Sequence, residues 1–293
     1  MNIFLWFLVL VSLILTIGLV ASFLFTKRMP RTDFHTPEEF GLHFEEVKFP
    51  ALDGLPLQGC WIPSEKYKRR QSTENERAVI ILHGHGGSLD WDIHRAPALH
   101  AAGFNVFLID FRAHGRSQGH RTTFGYLERR DVIGAVNFLL SIGVKRIGLL
   151  GFSFGGIASM LTAPICPEIK AVVTDGGPAR QKTALSGRAI ELHVPLQLAV
   201  PLAWLTVAIT SVRLGANLFH YEPVRWVAKI SPRPILFIHG DLDQYCPDFN
   251  DLFSAAGEPK EAWRLPGVGH TKASEVYPQE FEKRVLEFFD RTL

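Results

Sequence analysis

Five short, almost uninterrupted apolar runs set what this chain can fold into: AVIIL (78–82), NVFLID (105–110), RIGLLG (146–151), KAVVTD (170–175) and PILFIHG (234–240). A strand with one wet face alternates apolar and polar residues, whereas a strand covered on both faces is apolar throughout. Helical patterns lie between the runs. Over about 124–140, Val132, Val136 and Leu139 share one face while Glu128, Arg129 and Arg130 are expected to face out. Near the C-terminus, Phe281, Val285, Phe288 and Phe289 oppose Glu282, Arg284 and Glu287. Alternating strands and helices predict an α/β fold with a doubly wound, mostly parallel open sheet. Upstream, FEEVKFPALDGLPLQGCWIP reads as two strands turning at Asp53-Gly54, so the sheet should begin with an antiparallel hairpin.

The rhythm breaks in two places. Residues 178–232 offer helices and prolines but no strand, which is the pattern of a helical lid inserted over a site. The apolar part of that lid, 194–209, is short for a membrane span and carries Pro195 and Pro201, so it is read as lid rather than as a second span. Residues 3–25 hold no charge and, as a helix, would reach roughly 35 Å, enough to cross a hydrocarbon core. Basic residues follow this run (Lys27, Arg28, Arg31) rather than precede it, which favours a retained transmembrane anchor (1–25) over a cleaved signal. The same three residues place the folded part on the cytoplasmic side. Residues 26–43 read as a juxtamembrane linker and 44–293 as the folded domain, one domain being what 293 residues allow.

Composition excludes other classes. With 47% hydrophobic and 20% charged residues the chain is not disordered. A net charge of +2 gives no reason to expect nucleic acid, and the cluster KYKRR at 66–70 reads as a solvated loop. Three scattered cysteines (Cys60, Cys166, Cys246) form neither a disulfide framework nor a zinc pattern, and no metal or cofactor is implied.

The chemistry centres on GFSFGG (151–156), which follows the run RIGLL and opens a stretch of small, helix-compatible residues. A G-x-S-x-G between strand and helix lifts the serine hydroxyl above the sheet on a sharp turn, and makes Ser153 the candidate nucleophile. A serine hydroxyl needs a base, and the base an orienting acid. Among twelve histidines, His270 in LPGVGHTK stands just before the last helix in a Gly-rich loop. For the acid, HGDLDQYCP offers Asp241 and Asp243 at the carboxyl end of a strand, with Asp175 after the preceding strand as a third choice.

HGHGG (83–87), DFRAHGRS (110–117), GFSFGG, HGDLD (239–243) and GVGH (267–270), in this order from about Phe44 to the end, resemble the α/β-hydrolase fold of the serine hydrolase superfamily. The resemblance implies the order nucleophile, acid, histidine and assigns the acid to Asp243, leaving Asp241 as the alternative that braces the loop. It also implies an oxyanion hole from the backbone N–H groups of Phe154 and His85, with Arg112 and His114 structural. Ala113 departs from the glycine usual at that place. The expected activity is hydrolysis of a carboxylic ester through an acyl-enzyme. An apolar lid (Leu192, Leu196, Leu198, Leu202, Trp204, Leu205) and a membrane anchor favour a lipid-like or acyl substrate. A peptidase, which would want a lid carboxylate such as Glu191 or Glu222, and an acyltransferase or thioesterase use the same machinery. An inactive binding module is disfavoured by the presence of all three side chains.

Overall fold

The computed structural model describes residues 3–30, 35–65 and 76–293. The cluster at 66–70 and Arg31 lie outside the described residues. Eight strands form one sheet: β1 (Glu45–Pro50), β2 (Pro56–Ile62), β3 (Arg77–Leu82), β4 (Asn105–Ile109), β5 (Arg146–Phe152), β6 (Ile169–Asp175), β7 (Ile235–Gly240) and β8 (Lys260–Leu265). Their order is β1-β2-β4-β3-β5-β6-β7-β8. β1, β2 and β4 pair antiparallel and every other neighbour is parallel, as the hairpin and the apolar runs require. The hairpin turns over residues 51–55, with Gly54 at φ 82°.

The labelled helices are α1 (Ile3–Thr26), α2 (Glu128–Ser141), α3 (Phe154–Thr162), α4 (Gln181–Glu191), α5 (Leu196–Leu214), α6 (Phe249–Ala255) and α7 (Pro278–Thr292). Both faces of the sheet are covered. Ile80 and Leu82 of β3 pack with α2, α3 and α6, whereas Val79 and Ile81 pack on the other side with Phe281, Val285, Phe288 and Phe289 of α7. That two-sided burial is why the strands read as continuous apolar runs. The chain passes from β3 to β4 on one side and then to β5 on the other. In an open α/β sheet the crevice at such a reversal, beyond the carboxyl ends of the strands, is where ligands bind.

Three sequence expectations change. Glu128 does not face solvent: it is fully buried at the start of α2, and residues 122–127 are a loop wrapped around its carboxylate. Residues 27–30, within the stretch read as a juxtamembrane linker, are bound to the domain. Met29 N–H donates to the Ala113 carbonyl (2.7 Å), and Arg28 reaches the Gly119 carbonyl (2.7 Å). In the lid, the apolar helix runs through Pro201 to a length of 19 residues. It and α1 are both long and apolar enough, by length and composition, to cross a membrane, with mean hydropathies of 1.4 and 2.9. A proline inside a helix forfeits one hydrogen bond, here the one that residue 201 would donate to Gln197. Ala199, Ala203 and Val207 of this helix are buried on either side of the proline.

Candidate active site

Four strand ends supply the site. β5 runs into α3 through Ser153, whose backbone sits at φ 51°, ψ −108°, outside the ordinary regions for a non-glycine residue. The glycines around it are steric necessities. A Cβ on Gly155 would lie 2.0 Å from the Leu82 carbonyl oxygen, and one on Gly151 would lie 2.5 Å from the Gly155 carbonyl oxygen. The turn is held by Ser153 N–H donating to the Asp175 carbonyl (2.8 Å) and by Ile157 N–H donating to the Ser153 carbonyl (3.1 Å). Backbone strain of this kind persists only where its surroundings over-determine it.

The loops after β7 and β8 are laced together. Asp241 N–H donates to the Leu265 carbonyl (3.1 Å), Leu242 N–H to the Val268 carbonyl (3.0 Å), and Gly267 N–H to Asp241 Oδ1 (2.7 Å). Asp241 therefore braces the loop. Asp243, its side chain fully buried, meets the imidazole instead: His270 Nδ1 and Asp243 Oδ2 are 2.8 Å apart, and His270 Nε2 and Ser153 Oγ are 2.7 Å apart. An ionised carboxylate only accepts, so the proton belongs on Nδ1 and the serine hydroxyl donates to Nε2. Asp243 Oδ1 accepts from Tyr245 N–H (2.8 Å), which fixes the carboxylate's second oxygen. Asp175, the third acid considered, is buried beneath the site. Burial, with the Asp243 charge nearby, pushes its carboxyl up to about 7, and its Oδ2 has no hydrogen-bond partner among the described residues.

HGHGG turns away from β3 at residues 84–87, with Gly86 at φ 78° and Gly87 N–H donating to the Gly84 carbonyl (3.1 Å). A Cβ on Gly84 would lie 3.8 Å from Ser153 Cβ, so this loop runs alongside the serine. Phe154 is the first residue of α3, and its N–H is one of those a helix leaves without an internal acceptor. Among the described residues, neither it nor the His85 N–H donates to a backbone carbonyl outside the helices and strands. His83 donates from Nδ1 to the Gly84 carbonyl (2.7 Å) and accepts the Phe111 N–H at Nε2 (3.2 Å), while burial pushes its pKa down to about 4. Burial lowers His85 and His114 as well, so these three buried imidazoles of the surrounding loops favour the neutral form. Arg112 forks onto Asp131 and Asp53.

Several residues at the site carry no sequence motif. The Tyr245 ring stacks on His270 with centroids 4.3 Å apart, and its hydroxyl donates to Glu191 at the end of α4, which also binds Arg188. The His85 side chain donates from Nε2 to the Phe25 carbonyl (3.0 Å) near the end of α1, and its ring lies 3° from parallel to Phe124. Phe25 and Phe124 in turn pack with Ala203 and Val207 of α5, so α1 and α5 wall the site. Asp243, Cys246 and His270 bring a carboxylate, a thiol and an imidazole within 4.8 Å, a potential metal grouping. Burial pushes the Cys246 thiol well above its ordinary range and the thiol donates to the Gly176 carbonyl (3.1 Å). A metal ligand must be a thiolate, so the grouping is a poor metal site.

Comparison with known proteins identifies the architecture. Residues 77–205 match the family model described as alpha/beta hydrolase fold. The chain is 28% identical to the uncharacterized protein YfhR of Escherichia coli over 83% of this chain and 80% of that protein. It is 25% identical to the uncharacterized peptidase YuxL of Bacillus subtilis over 85% of this chain and 39% of that longer protein. Among solved structures, the esterase Pf2001 of Pyrococcus furiosus superposes with a TM-score of 0.73 at 24% identity, covering 91% of this chain and 98% of that one. The chain has the α/β-hydrolase fold, with a mostly parallel sheet and an antiparallel start.

Proposed function

We propose that this α/β-hydrolase-fold chain is a serine hydrolase that cleaves carboxylic esters of acyl or lipid-like substrates. The observation that supports it is the hydrogen-bonded line Ser153–His270–Asp243, 2.7 and 2.8 Å, with the serine on a strained turn at a strand's carboxyl end. As Oγ attacks the ester carbonyl carbon, its proton passes to His270 Nε2. Asp243 stabilises the imidazolium, and the N–H groups of His85 and Phe154 receive the charge that develops on the carbonyl oxygen. The alkoxide leaves with the proton from Nε2, giving an acyl-Ser153. Water, deprotonated by the same nitrogen, attacks the acyl carbon and releases the acid. Neutral His83 and His85 place no competing positive charge beside the forming imidazolium.

The peptidase reading needs a lid carboxylate free to hold a substrate amine. Glu191 is already shared between Arg188 and the Tyr245 hydroxyl, and Glu222 is buried beside Arg225, which favours the ester. We read α1 as a retained anchor that holds the domain, on its cytoplasmic side, against the membrane. The test is a panel of acyl esters of rising chain length, thioesters and aminoacyl amides, run with wild type and Ser153→Ala. Ester turnover that rises with chain length and vanishes in the variant supports the proposal. Turnover of amides alone, or of esters equally by both proteins, contradicts it.

A further inference from the structure

The helix α1 is 24 residues long, but only residues 3–17 stand clear of the domain, all of them exposed. From Gly18 onward one face rests on α5. A Cβ on Gly18 would lie 2.8 Å from Ile209 and 2.9 Å from Leu205; Ser22 Oγ meets Thr210 Oγ1 at 2.8 Å; and Arg213 donates to Ser22 Oγ at 2.6 Å and Thr26 Oγ1 at 3.4 Å. Residue numbers rise together along the contact, so the two helices run in the same sense. The fifteen clear residues rise only about 22 Å, about 8 Å less than the roughly 30 Å hydrocarbon core.

We infer that the outer face of α5 is seated in the bilayer beside α1, so that the membrane itself covers the lid of the site. If α1 crosses the core, the missing 8 Å comes from the stretch that already lies against α5, so residues 205–210 of α5 enter the bilayer with it and the earlier turns of α5, which run in the same sense, lie no shallower. The surface of α5 suits that place. Leu196, Leu198, Val200, Trp204 and Val212 are 58%, 62%, 49%, 53% and 84% exposed, and no charged residue precedes Arg213 in the helix. Arg213 packs over the Phe23 ring, one turn from Lys27 and Arg28, so the basic ends of both helices share one level, where long cationic side chains reach the headgroups. The apolar face of α5 is continuous with a helix whose own surroundings are lipid, and this selects the bilayer over a second protein as its occupant. Because Ala203 and Val207 of α5 pack with Phe25 and Phe124 around His85, the loops at Ser153 lie on the lipid side of the domain.

The inference rests on the anchor reading of α1, and the test separates the two. Full-length Leu8→Cys, Leu198→Cys, Trp204→Cys and Glu282→Cys variants are each labelled with an environment-sensitive fluorophore; Cys60, Cys166 and Cys246 are buried. The proteins are reconstituted in phosphatidylcholine vesicles carrying nitroxide lipids at shallow or deep positions. Lipid nitroxides, shallow or deep, should quench labels at 198 and 204 by about twofold or more, deep ones should quench the label at 8, and neither should quench at 282. Quenching at 8 with 198 and 204 behaving like 282 overturns the inference and leaves the anchor standing. No quenching at 8 overturns both. Shielding of 198 and 204 from aqueous iodide without lipid quenching means that a second copy of the chain covers α5, and also overturns the inference.

Discussion

Replacing Glu128 with alanine should unfold the wall of the site before the domain itself. The carboxylate is fully buried and accepts four hydrogen bonds at 2.8–2.9 Å: from Thr122 Oγ1, Thr123 N–H, Thr123 Oγ1 and Gly125 N–H. The two hydroxyls can turn to other acceptors, but the two backbone N–H groups cannot. A buried donor left without a partner costs about 1–3 kcal/mol, so the two N–H groups set a loss of about 2–6 kcal/mol and the expected value for Glu128→Ala is about 4 kcal/mol. Glu128→Gln keeps one oxygen for Thr122 and Thr123 but turns an NH₂ group toward the Gly125 N–H, and should lose about half as much. The loop carries Phe124 at φ 53°, stacked on His85 and packed on Phe25, so its loss also opens the site. Urea unfolding of the full chain in detergent micelles measures the stability, and ester turnover below the transition measures the site. An unfolding free energy for Glu128→Ala within about 0.5 kcal/mol of wild type, the range of an ordinary surface substitution, would refute the reasoning.

Gly155→Ala places a methyl 2.0 Å from the Leu82 carbonyl oxygen, so backbone must move; kcat/KM for an ester should fall by about 100-fold or more, the effect of an ångström-scale displacement of the nucleophile. Tyr245→Phe keeps the ring on His270 and should leave kcat within about threefold, whereas Tyr245→Ala removes a stacked partner and should lower it about tenfold. Equal effects of the two Tyr245 variants would assign the role to the Glu191 bond instead. Asp175, with its carboxyl at about 7 in the fold, lies well above the roughly 3.9 of an unfolded aspartate. The folded chain therefore holds an extra proton between these values, and stability should decline from pH 4 to pH 7 by up to roughly 4 kcal/mol from this group. Asp175→Asn should flatten that decline in unfolding free energies measured at pH 5 and pH 8; an unchanged slope contradicts the assignment.

The features legible in the sequence are local ones. Continuous apolar runs identify β3 to β7 to within a residue or so at each end, because two-sided burial leaves no polar alternation. GFSFGG and HGHGG read as turns because their backbones admit few other residues. Asp243 rather than Asp241 meeting His270 depends on two loops 27 residues apart being laced together, and in the sequence only the resemblance to the family's acid position favoured it. What was hidden depends on tertiary contact. Glu128 falls on the outer side of a 3.6-residue pattern, yet at a helix start its side chain turns back to satisfy the N–H groups of the preceding loop. The stacking of Tyr245 had one faint signal, its place two residues after Asp243, whose carboxylate takes its N–H. The docking of residues 27–30 and of α1 had none, since hydrophobicity marks a helix for lipid without saying what one of its faces touches.

The central claim, that Ser153 is the nucleophile of a hydrolase, is tested most directly by a fluorophosphonate. The reagent phosphonylates an activated serine hydroxyl and spares ordinary ones. Intact-mass and peptide mapping of the full-length protein should find one adduct, on the peptide containing Ser153, and none in Ser153→Ala or in denatured wild type. An adduct that persists in Ser153→Ala, or folded wild-type protein that takes up none, would contradict the account.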